Sequence, residues 1–584
     1  MQASASRWRL WLRYLWFAVL CLAISIAMID LCARLLFELR GAFNVDDYVY
    51  WGVGRGILNG FKPYTDLFDI KPPGIFLLSA ASLWLNGNAM LMHVAQAIVI
   101  VGIPCTLMIP VWLETSSMRR FRRYELTALA FLGGSALTLY TAHRSGALQT
   151  ESFGAFFGCA YLAAIATSAP RLSRTRFVAA TLALLLAIGF KEPFVLTCAV
   201  GALFIRQDWT WIRERILVPY ICAALAGIAI VAALGLFQGY FGMYLPFMLG
   251  THIERWGHPL LLRALEVHRI FIDLAAYSPA FLAFILFLFL SLLSVIAQPR
   301  RPMQWLWFAL LLALLLAVPY VALTWFPINL LAVSGTMLYT WPRFALMVAP
   351  LIVLLLVACQ QLGRGESTDD GTSRFVALIL FLAAGYMSSL SVAAGGEFFP
   401  HHFAFAVPAY LGLVLGFLAQ LKTHSYTRWW RWMACVPIIA LLYVTAFHTR
   451  EDYRSALLTM RSELAQAQQG ANLIDTTMDR CGIERYMYIG EVGVLVYGLT
   501  RHSPLGPGFF QYSLNVTYPQ FGESFVHNLQ TNANILILPP QGAKTRPFTE
   551  DVVRFIGDHF STDPWPCAQP YDAPKDFRIF FRKS

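Results

Sequence analysis

Charged residues are scarce in this sequence. They make up 13% of it, against roughly a quarter of an ordinary soluble domain, whereas 58% of the residues are hydrophobic and the mean hydropathy is +0.58. A chain with so little charge has too few polar side chains to cover a surface that faces water. The composition therefore predicts an integral membrane protein.

Motifs for soluble nucleotides and structural metals are also missing. There is no GxxxxGK[ST] phosphate loop, the GVGRG run at Gly52 has no strand before it, and no CxxC or zinc-type cysteine spacing occurs. These absences argue against a soluble nucleotide as the energy source. They leave the cofactor unassigned and the involvement of a divalent metal open.

Long apolar runs make up most of what is present. The first, from about Tyr14 to Phe37, is roughly 20 residues long, which suits a retained span better than the shorter apolar core of a signal peptide. Further spans are predicted near 89–113, 124–142, 151–168, 176–190, 193–206, 216–238, 278–297, 304–324, 343–361, 375–392, 403–421 and 430–447. The sequence thus predicts a mostly α, polytopic helix bundle with about thirteen transmembrane helices.

The positive residues indicate how the bundle is oriented. About twenty Lys and Arg side chains, beginning with Arg7, Arg9 and Arg13, fall in short loops on one side of the predicted spans. This predicts a cytoplasmic N-terminus in the plasma (bacterial inner) membrane. The same loops account for the net charge of +11, so the basic balance indicates contact with membrane lipids and no nucleic acid.

The composition becomes polar near residue 450. This divides the chain into a predicted transmembrane domain (1–449) and a small α/β domain on the outer side (450–584), called the C-terminal domain below. A helix is predicted from Asp452 to Gln469, and strands from Tyr486 to Ile489 and from Asn534 to Leu538. Eight of the ten cysteines lie in predicted spans; Cys481 and Cys567 lie in this domain and are predicted to form a disulfide in an oxidising compartment.

The first external loop (38–88) contains the most informative stretch, FNVDDYVYWGVGRGILNGFKPYTDLFDIKPPGIF. Asn44 can cap a helix whose first turn holds Asp46 and Asp47. Tyr48, Trp51, Arg55 and Leu58 then recur at helical spacing, which predicts an amphipathic helix lying on the membrane surface. The apolar segment 74–85 is too short to span and predicts a second surface element.

Each charged residue of this loop has a structural and a chemical interpretation. Acids in a first helical turn are stabilised by the helix dipole, so Asp46 and Asp47 on their own indicate capping more than catalysis. A lone interfacial lysine such as Lys71 commonly reaches toward lipid headgroups. A carboxylate can also act as a general base on a hydroxyl, and a lysine, arginine or metal ion beside it can neutralise a departing phosphate.

Other ionisable residues gather on the same side of the predicted spans. Glu151 starts a span, Lys191 lies in a hairpin that reads GFKEPF, and Arg343 follows Trp-Pro. A transporter places such groups near the midplane of the bilayer, whereas these converge at the outer surface. Adjacent His401 and His402 point about 100° apart on a helix, so anchoring at the interface is favoured over a ligand or phosphate-contact role.

These motifs, in this order, resemble the GT-C membrane glycosyltransferases. The external loop with its acidic pair, the Pro63-Tyr64 dipeptide and the KPP at Lys71 are most similar to the protein O-mannosyltransferase and aminoarabinose transferase superfamily. The resemblance covers about the first 210 residues by motif. Asp47 departs from the family pattern, since the mannosyltransferases have Glu there.

The resemblance implies a GT-C fold and an inverting sugar transfer on the outer face, from a polyprenyl-phosphate-linked donor to a lipid or cell-envelope glycan such as lipopolysaccharide. Asp46 or Asp47 falls at the position of the catalytic base, and Glu151 would orient the acceptor or sugar. Lys71, aided by Arg55, Lys191 or Arg343, would hold the donor phosphate. Two other functions stay open at this point, a flippase or transporter of lipid-linked sugars and a non-catalytic envelope assembly protein.

Overall fold

A computed structural model describes seven main ranges of the chain, 2–40, 45–142, 149–167, 171–206, 208–252, 451–489 and 498–506, with three further ranges, 519–538, 550–568 and 578–583. It also describes isolated residues between 391 and 415. The predicted spans from 278 onward are described at these isolated residues at most, and Asn44, Arg343 and His401 lie outside the described residues. The count of thirteen spans therefore stays a prediction.

Helices make up most of the described part of the first 252 residues. Their bounds are α1 (Gln2–Leu39), α2 (Val45–Leu58), α3 (Pro73–Asn86), α4 (Met90–Glu114), α5 (Arg120–Ala142), α6 (Thr150–Ile165), α7 (Arg174–Phe190) and α8 (Phe194–Ile205). A continuous helical stretch follows, consisting of α9 (Trp209–Ile212), a π-helical turn (Arg213–Leu217) and α10 (Val218–Ala233), and after it π-helical turns (Gln238–Tyr244, Met248–His252) flank α11 (Leu245–Phe247). The helices that the apolar runs predicted in this part of the chain are confirmed.

Three of these helical stretches have the length and composition to cross a bilayer. They are Trp11–Leu39, Met90–Glu114 and Trp209–Ala233. Their exposed surfaces carry large apolar side chains, among them Leu22 and Ile98, which are 63% and 61% exposed. Such a surface is stable against lipid, because every backbone polar group within a helix bonds internally.

The C-terminal domain is a mixed sheet with helices beside it. Its elements are α12 (Glu451–Cys481), β1 (Arg485–Tyr488), β2 (Ser503–Pro504), α13 (Pro519–His527), β3 (Ile535–Leu538), α14 (Glu550–His559), β4 (Phe560–Ser561) and β5 (Arg578–Arg582). The strands lie in the order β2-β1-β3-β5-β4; β1 is parallel to β2 and β3, and β5 is antiparallel to β3 and β4. The predicted β1 and β3 are confirmed to within one residue, whereas α12 extends twelve residues beyond the predicted end, to Cys481 rather than Gln469.

Both faces of this sheet are covered. Tyr486, Ile535 and Phe581 join the same apolar core as the helices of the first part of the chain. Met487 and Leu536 point to the opposite face, into a smaller core with α14. A strand buried on both faces reads as a continuous apolar run, as β3 does. Cys481 and Cys567 form a disulfide that joins the end of α12 to the segment before β5.

The surface placement predicted for α2 is wrong. Tyr48 and Trp51 are only 2% and 6% exposed, and Tyr50 and Val53 on other faces of the helix are fully buried. One side of α2 packs on α3, and Trp51 on another side lies against Gly498 of the C-terminal domain. Helical spacing in a sequence shows that a face is apolar, but it cannot show how many partners cover the helix.

Candidate functional site

The loop between α2 and α3 ends in a rigid turn that fixes the backbone of Lys71. Pro72 precedes α3 in an extended conformation and Pro73 is its first residue, which suits proline because the first helical N–H needs no partner within the helix. Within the described residues Tyr64 alone, glycines aside, has a positive φ, of 72°. Its buried hydroxyl donates a 3.0 Å hydrogen bond to the Lys71 carbonyl. Such a backbone costs on the order of 1–3 kcal/mol, which the packing of the buried Tyr64 ring offsets.

A close backbone approach brings the start of α3 to the hairpin between α7 and α8. A Cβ atom on Gly74 would lie 2.5 Å from the carbonyl oxygen of Gly189, so only glycine fits there. Lys191 follows two residues after Gly189, at the end of α7. The contact therefore places Lys71 and Lys191 on the same side of the bundle, although 120 residues separate them in the chain.

Two lysine–carboxylate pairs meet at this place. Lys71 Nζ lies 3.5 Å from Asp46 Oδ2, and Lys191 Nζ lies 3.3 Å from Glu151 Oε1. Glu151 is in the first turn of α6 and is fully buried, with its Oε2 accepting a 2.9 Å hydrogen bond from the hydroxyl of Thr150. Asp46 is 38% exposed at its side chain and is the accessible carboxylate of the two pairs.

Asp69 is a fifth charged residue of this group. Its side chain is buried, and Oδ1 accepts a 2.7 Å hydrogen bond from the backbone N–H of Ile70. The pKa of Asp69 is raised to about 6: burial is the largest cause and the charge of Asp46 acts in the same direction, against the lowering effects of Lys71, the Ile70 N–H and Lys191. We call Asp46, Asp69, Lys71, Glu151 and Lys191 the lysine–carboxylate cluster.

The two lysines of the cluster are in different electrostatic surroundings. Burial acts to lower the pKa of Lys71, but the carboxylates of Asp46, Glu151 and Asp69 outweigh it and the net pKa is raised. The pKa of Lys191 is lowered, first by burial and then by the charge of Lys71, against the raising effect of Glu151. Of the two lysines, Lys71 is therefore the one that stays charged. An added anion would stabilise the charged form of Lys191.

Tyr50 places a neutral hydroxyl beside the same carboxylates. The side chain is fully buried, and among the described residues its hydroxyl has no hydrogen-bond partner. Burial raises the pKa of this phenol well above its usual range, and the charges of Asp46, Glu151, Asp69 and Asp47 add to the effect. A hydroxyl that stays protonated among carboxylates can donate a hydrogen bond to a ligand oxygen.

The structure places the other predicted site residues differently. Asp47 is fully buried beside Asp46 on α2. Arg55 lies nine residues after Asp46, about 13 Å along the helix axis. It is half-buried there, and the charges that act on it are Asp475 and Arg501 of the C-terminal domain. The structure therefore does not bring Arg55 to the two lysines.

His402 is buried, which differs from the interface anchoring that the sequence favoured. It is 5% exposed, and its ring lies 6.0 Å from that of Phe405. Phe405 in turn contacts Phe194 at the start of α8, with ring centroids 5.0 Å apart. His402 therefore packs within the bundle, toward the hairpin that carries Lys191.

Asp69 and Tyr50 were not predicted as site residues. Asp66 and Asp69 are equivalent by sequence, two acids in a proline-bounded loop, yet Asp66 turns back to accept a hydrogen bond from the Lys62 N–H. Tyr50 reads as one of several aromatic residues on an apolar helix. Within the described ranges no three His, Cys, Asp or Glu side chains are arranged to hold a metal ion.

Comparisons with known proteins give matches among solved structures only. No family model and no curated protein sequence matches the chain. Among solved structures it is similar to ArnT from Cupriavidus metallidurans in the apo state, over 96% of this chain and 97% of that one, at 14% identity and a TM-score of 0.39. At this TM-score nothing about the activity of the chain follows from the match.

Proposed function

We propose that the chain is a membrane glycosyltransferase that moves a hexosyl or pentosyl group from a polyprenyl-phosphate-linked donor to a hydroxyl of a lipid or envelope glycan. The observation that carries this proposal is the lysine–carboxylate cluster. Two buried lysines suit a phosphate that gains charge as it departs, and an accessible carboxylate beside them suits a base for the acceptor. The resemblance of the KPP loop to the aminoarabinose transferases supports the same donor.

The proposed reaction is a single displacement with inversion. Asp46 accepts the proton of the acceptor hydroxyl while the acceptor oxygen bonds to the anomeric carbon of the sugar. The bond between that carbon and the phosphate oxygen breaks, and the electron pair leaves with the polyprenyl phosphate. Lys71 and Lys191 neutralise the second negative charge that this phosphate acquires, and Tyr50 donates a hydrogen bond to a donor oxygen.

Binding of the donor also frees the proposed base. Lys71 is paired with Asp46, and a phosphate that binds Lys71 competes for that ammonium. Loss of the pairing leaves the Asp46 carboxylate free to accept a hydrogen bond from the acceptor hydroxyl. In this scheme Asp46 becomes an effective base only when the phosphate is in place.

The proposed site belongs to the outer face of the bacterial inner membrane. The positive loops predict a cytoplasmic N-terminus, with the external loop and the C-terminal domain on the opposite side. A lipid-linked donor fits this location, because soluble sugar nucleotides are made in the cytoplasm. Whether a divalent metal assists the lysines stays open.

The first test is transfer of labelled sugar in membranes that contain the chain. Polyprenyl-phosphate-linked hexoses and pentoses are offered as donors, with the corresponding nucleotide sugars as controls. We expect product only from the lipid-linked donors, with inverted anomeric configuration. Transport of the donor across vesicles without transfer would overturn the proposal in favour of a flippase.

The buried carboxyl of Asp69 makes a pH dependence of donor binding testable. Above its pKa of about 6, three carboxylates of the cluster face two lysines; below it, Asp69 is neutral and the charges balance. An anionic donor therefore binds better at the lower pH, and we expect its KM at pH 5.5 to be lower than at pH 7.5 by on the order of tenfold. Asp69→Asn should give a low donor KM at both pH values. A wild-type KM that is flat over this range, or one that rises on acidification, would contradict the prediction.

A further inference from the structure

The described part of the C-terminal domain lies directly on the helix and loop that carry the proposed site. Trp51 of α2 packs on Gly498, where an added Cβ would be 2.8 Å from the Trp51 Cβ and 3.2 Å from the Tyr48 ring. Phe68, one residue before Asp69, packs on Phe521, with ring centroids 4.7 Å apart.

Polar contacts join the C-terminal end of α2 to the same domain. The side-chain amide of Asn59 donates to the Arg501 carbonyl at 3.1 Å and to the Ser503 hydroxyl at 3.2 Å. Arg501 is itself fixed, because its backbone N–H donates to both carboxylate oxygens of Asp475, at 2.9 and 3.1 Å, and its guanidinium bonds to Asp479. Asp475 and Asp479 lie on α12, which the disulfide at Cys481 ties to the rest of the domain.

The transmembrane part supports α2 from the other side. His93 of α4 meets Trp51 edge to face, with ring centroids 6.3 Å apart. The His93 ring nitrogen is 3.7 Å from Glu38, and Glu38 accepts a 2.5 Å hydrogen bond from Arg34. Trp51 is thus held between a charged group of the bundle and Gly498, one helical turn from Asp47 and close to Asp46.

We propose that the C-terminal domain positions the catalytic base. Its contacts with α2, from Gly498 to Trp51 and from Arg501 and Ser503 to Asn59, fix the position of the helix and therefore of Asp46. The inference rests on the proposed glycosyl transfer. It assigns to the domain no substrate contact: the lysines that hold the donor phosphate lie on the α3 entry and the α7–α8 hairpin, whereas the base lies on α2. A shift of α2 therefore misplaces the base, and with it Tyr50, while the two lysines that hold the donor phosphate stay in place.

This separation predicts which kinetic constant changes. Gly498→Ala forces Trp51 to move and should lower kcat by about tenfold or more, because a displacement near 1 Å can cost about a hundredfold in rate. The donor KM should change less than kcat, since α2 contributes only the Tyr50 hydrogen bond to donor binding, whereas Lys71 and Lys191 lie on other elements. Asn59→Ala, an exposed change with little risk to folding, should act in the same direction with a smaller effect.

The domain offers a matched control for the glycine substitution. Gly557 is in α14, and an added Cβ there meets nothing within 4 Å. Gly557→Ala should leave kcat and KM at wild-type values. Any loss that Gly498→Ala shares with Gly557→Ala would be a general effect of the substitution in this domain.

The experiment combines kinetics with amide hydrogen exchange of the full chain in detergent. We expect faster exchange of the α2 amides in Gly498→Ala and Asn59→Ala than in wild type and Gly557→Ala, together with the loss in kcat. Unchanged exchange, unchanged kcat, or a loss confined to donor KM would each overturn the inference. Absence of transfer by the wild type would instead overturn the proposed function. In that case the exchange measurement would still test the structural part of the inference, and unchanged exchange in the variants would show that the domain does not position α2.

Discussion

Replacement of Asp46 by asparagine is expected to lower kcat for sugar transfer by about 10²- to 10⁴-fold, the range typical of a lost general base. Asparagine keeps the size of the side chain but cannot accept the acceptor's proton. The substitution also removes the carboxylate paired with Lys71 at 3.5 Å. The donor KM should therefore stay equal to or below the wild-type value, so that the whole defect appears in kcat.

Two other acids serve as controls for this experiment. Asp66 is in the same loop but turns away to the Lys62 backbone, so Asp66→Asn should retain wild-type kcat. Asp47 is fully buried, so Asp47→Asn is expected to lower thermal stability before it changes the chemistry. If Asp47→Asn loses kcat at unchanged stability while Asp46→Asn retains it, the base is Asp47. Retention of kcat by both variants would remove the acid–base part of the proposal.

Replacement of Lys71 by methionine is expected to raise the donor KM, which Asp46→Asn leaves unchanged or lowers, and to lower kcat as well because Lys71 neutralises the departing phosphate. Methionine keeps an unbranched apolar side chain of similar length but removes the ammonium that would bind the donor phosphate. Loss of one partner of a buried charge pair costs about 2–5 kcal/mol, which corresponds to a rise in donor KM of about 30-fold to several thousand-fold. KM is measured with the lipid-linked donor under saturating acceptor.

Lys62 provides the matched control for Lys71. It is an exposed lysine of the same loop, so Lys62→Met removes the same charge at a place that the phosphate does not reach. Its donor KM should equal that of the wild type. A Lys71→Met protein with normal donor KM would show that the phosphate binds elsewhere, and equal losses in both variants would indicate a long-range effect of charge on a lipid-borne substrate.

The two substitutions together separate the proposed roles. A donor KM that rises in Lys71→Met but not in Asp46→Asn indicates a site in which α2 performs proton transfer and the α3 entry holds the leaving group. If both variants change kcat and KM alike, the Lys71–Asp46 pair has one structural role. This distinction is available because the two residues lie on separate elements, joined by the loop that Tyr64 fixes.

Only some of the site residues could be predicted from the sequence. Asp46, Lys71, Glu151 and Lys191 were predicted as site residues because chemistry at the outer surface needs carboxylates and amines, and the structure brings these four together. Arg55 was predicted with them and lies at the C-terminal domain instead. Asp69 was read only as part of the loop, because nothing local distinguishes it from Asp66.

The sequence by itself determined the class and the local elements of this protein. Scarce charge and long apolar runs predict a membrane helix bundle, helical spacing predicts α2, and short apolar runs predict β1 and β3, because each of these signals lies within one segment. Only the tertiary structure decided which acid faces which lysine, that α2 is buried on several sides, and that Trp51 packs against Gly498. Those contacts join residues 25 to several hundred positions apart, and their existence depends on how complete elements pack, which no local pattern encodes.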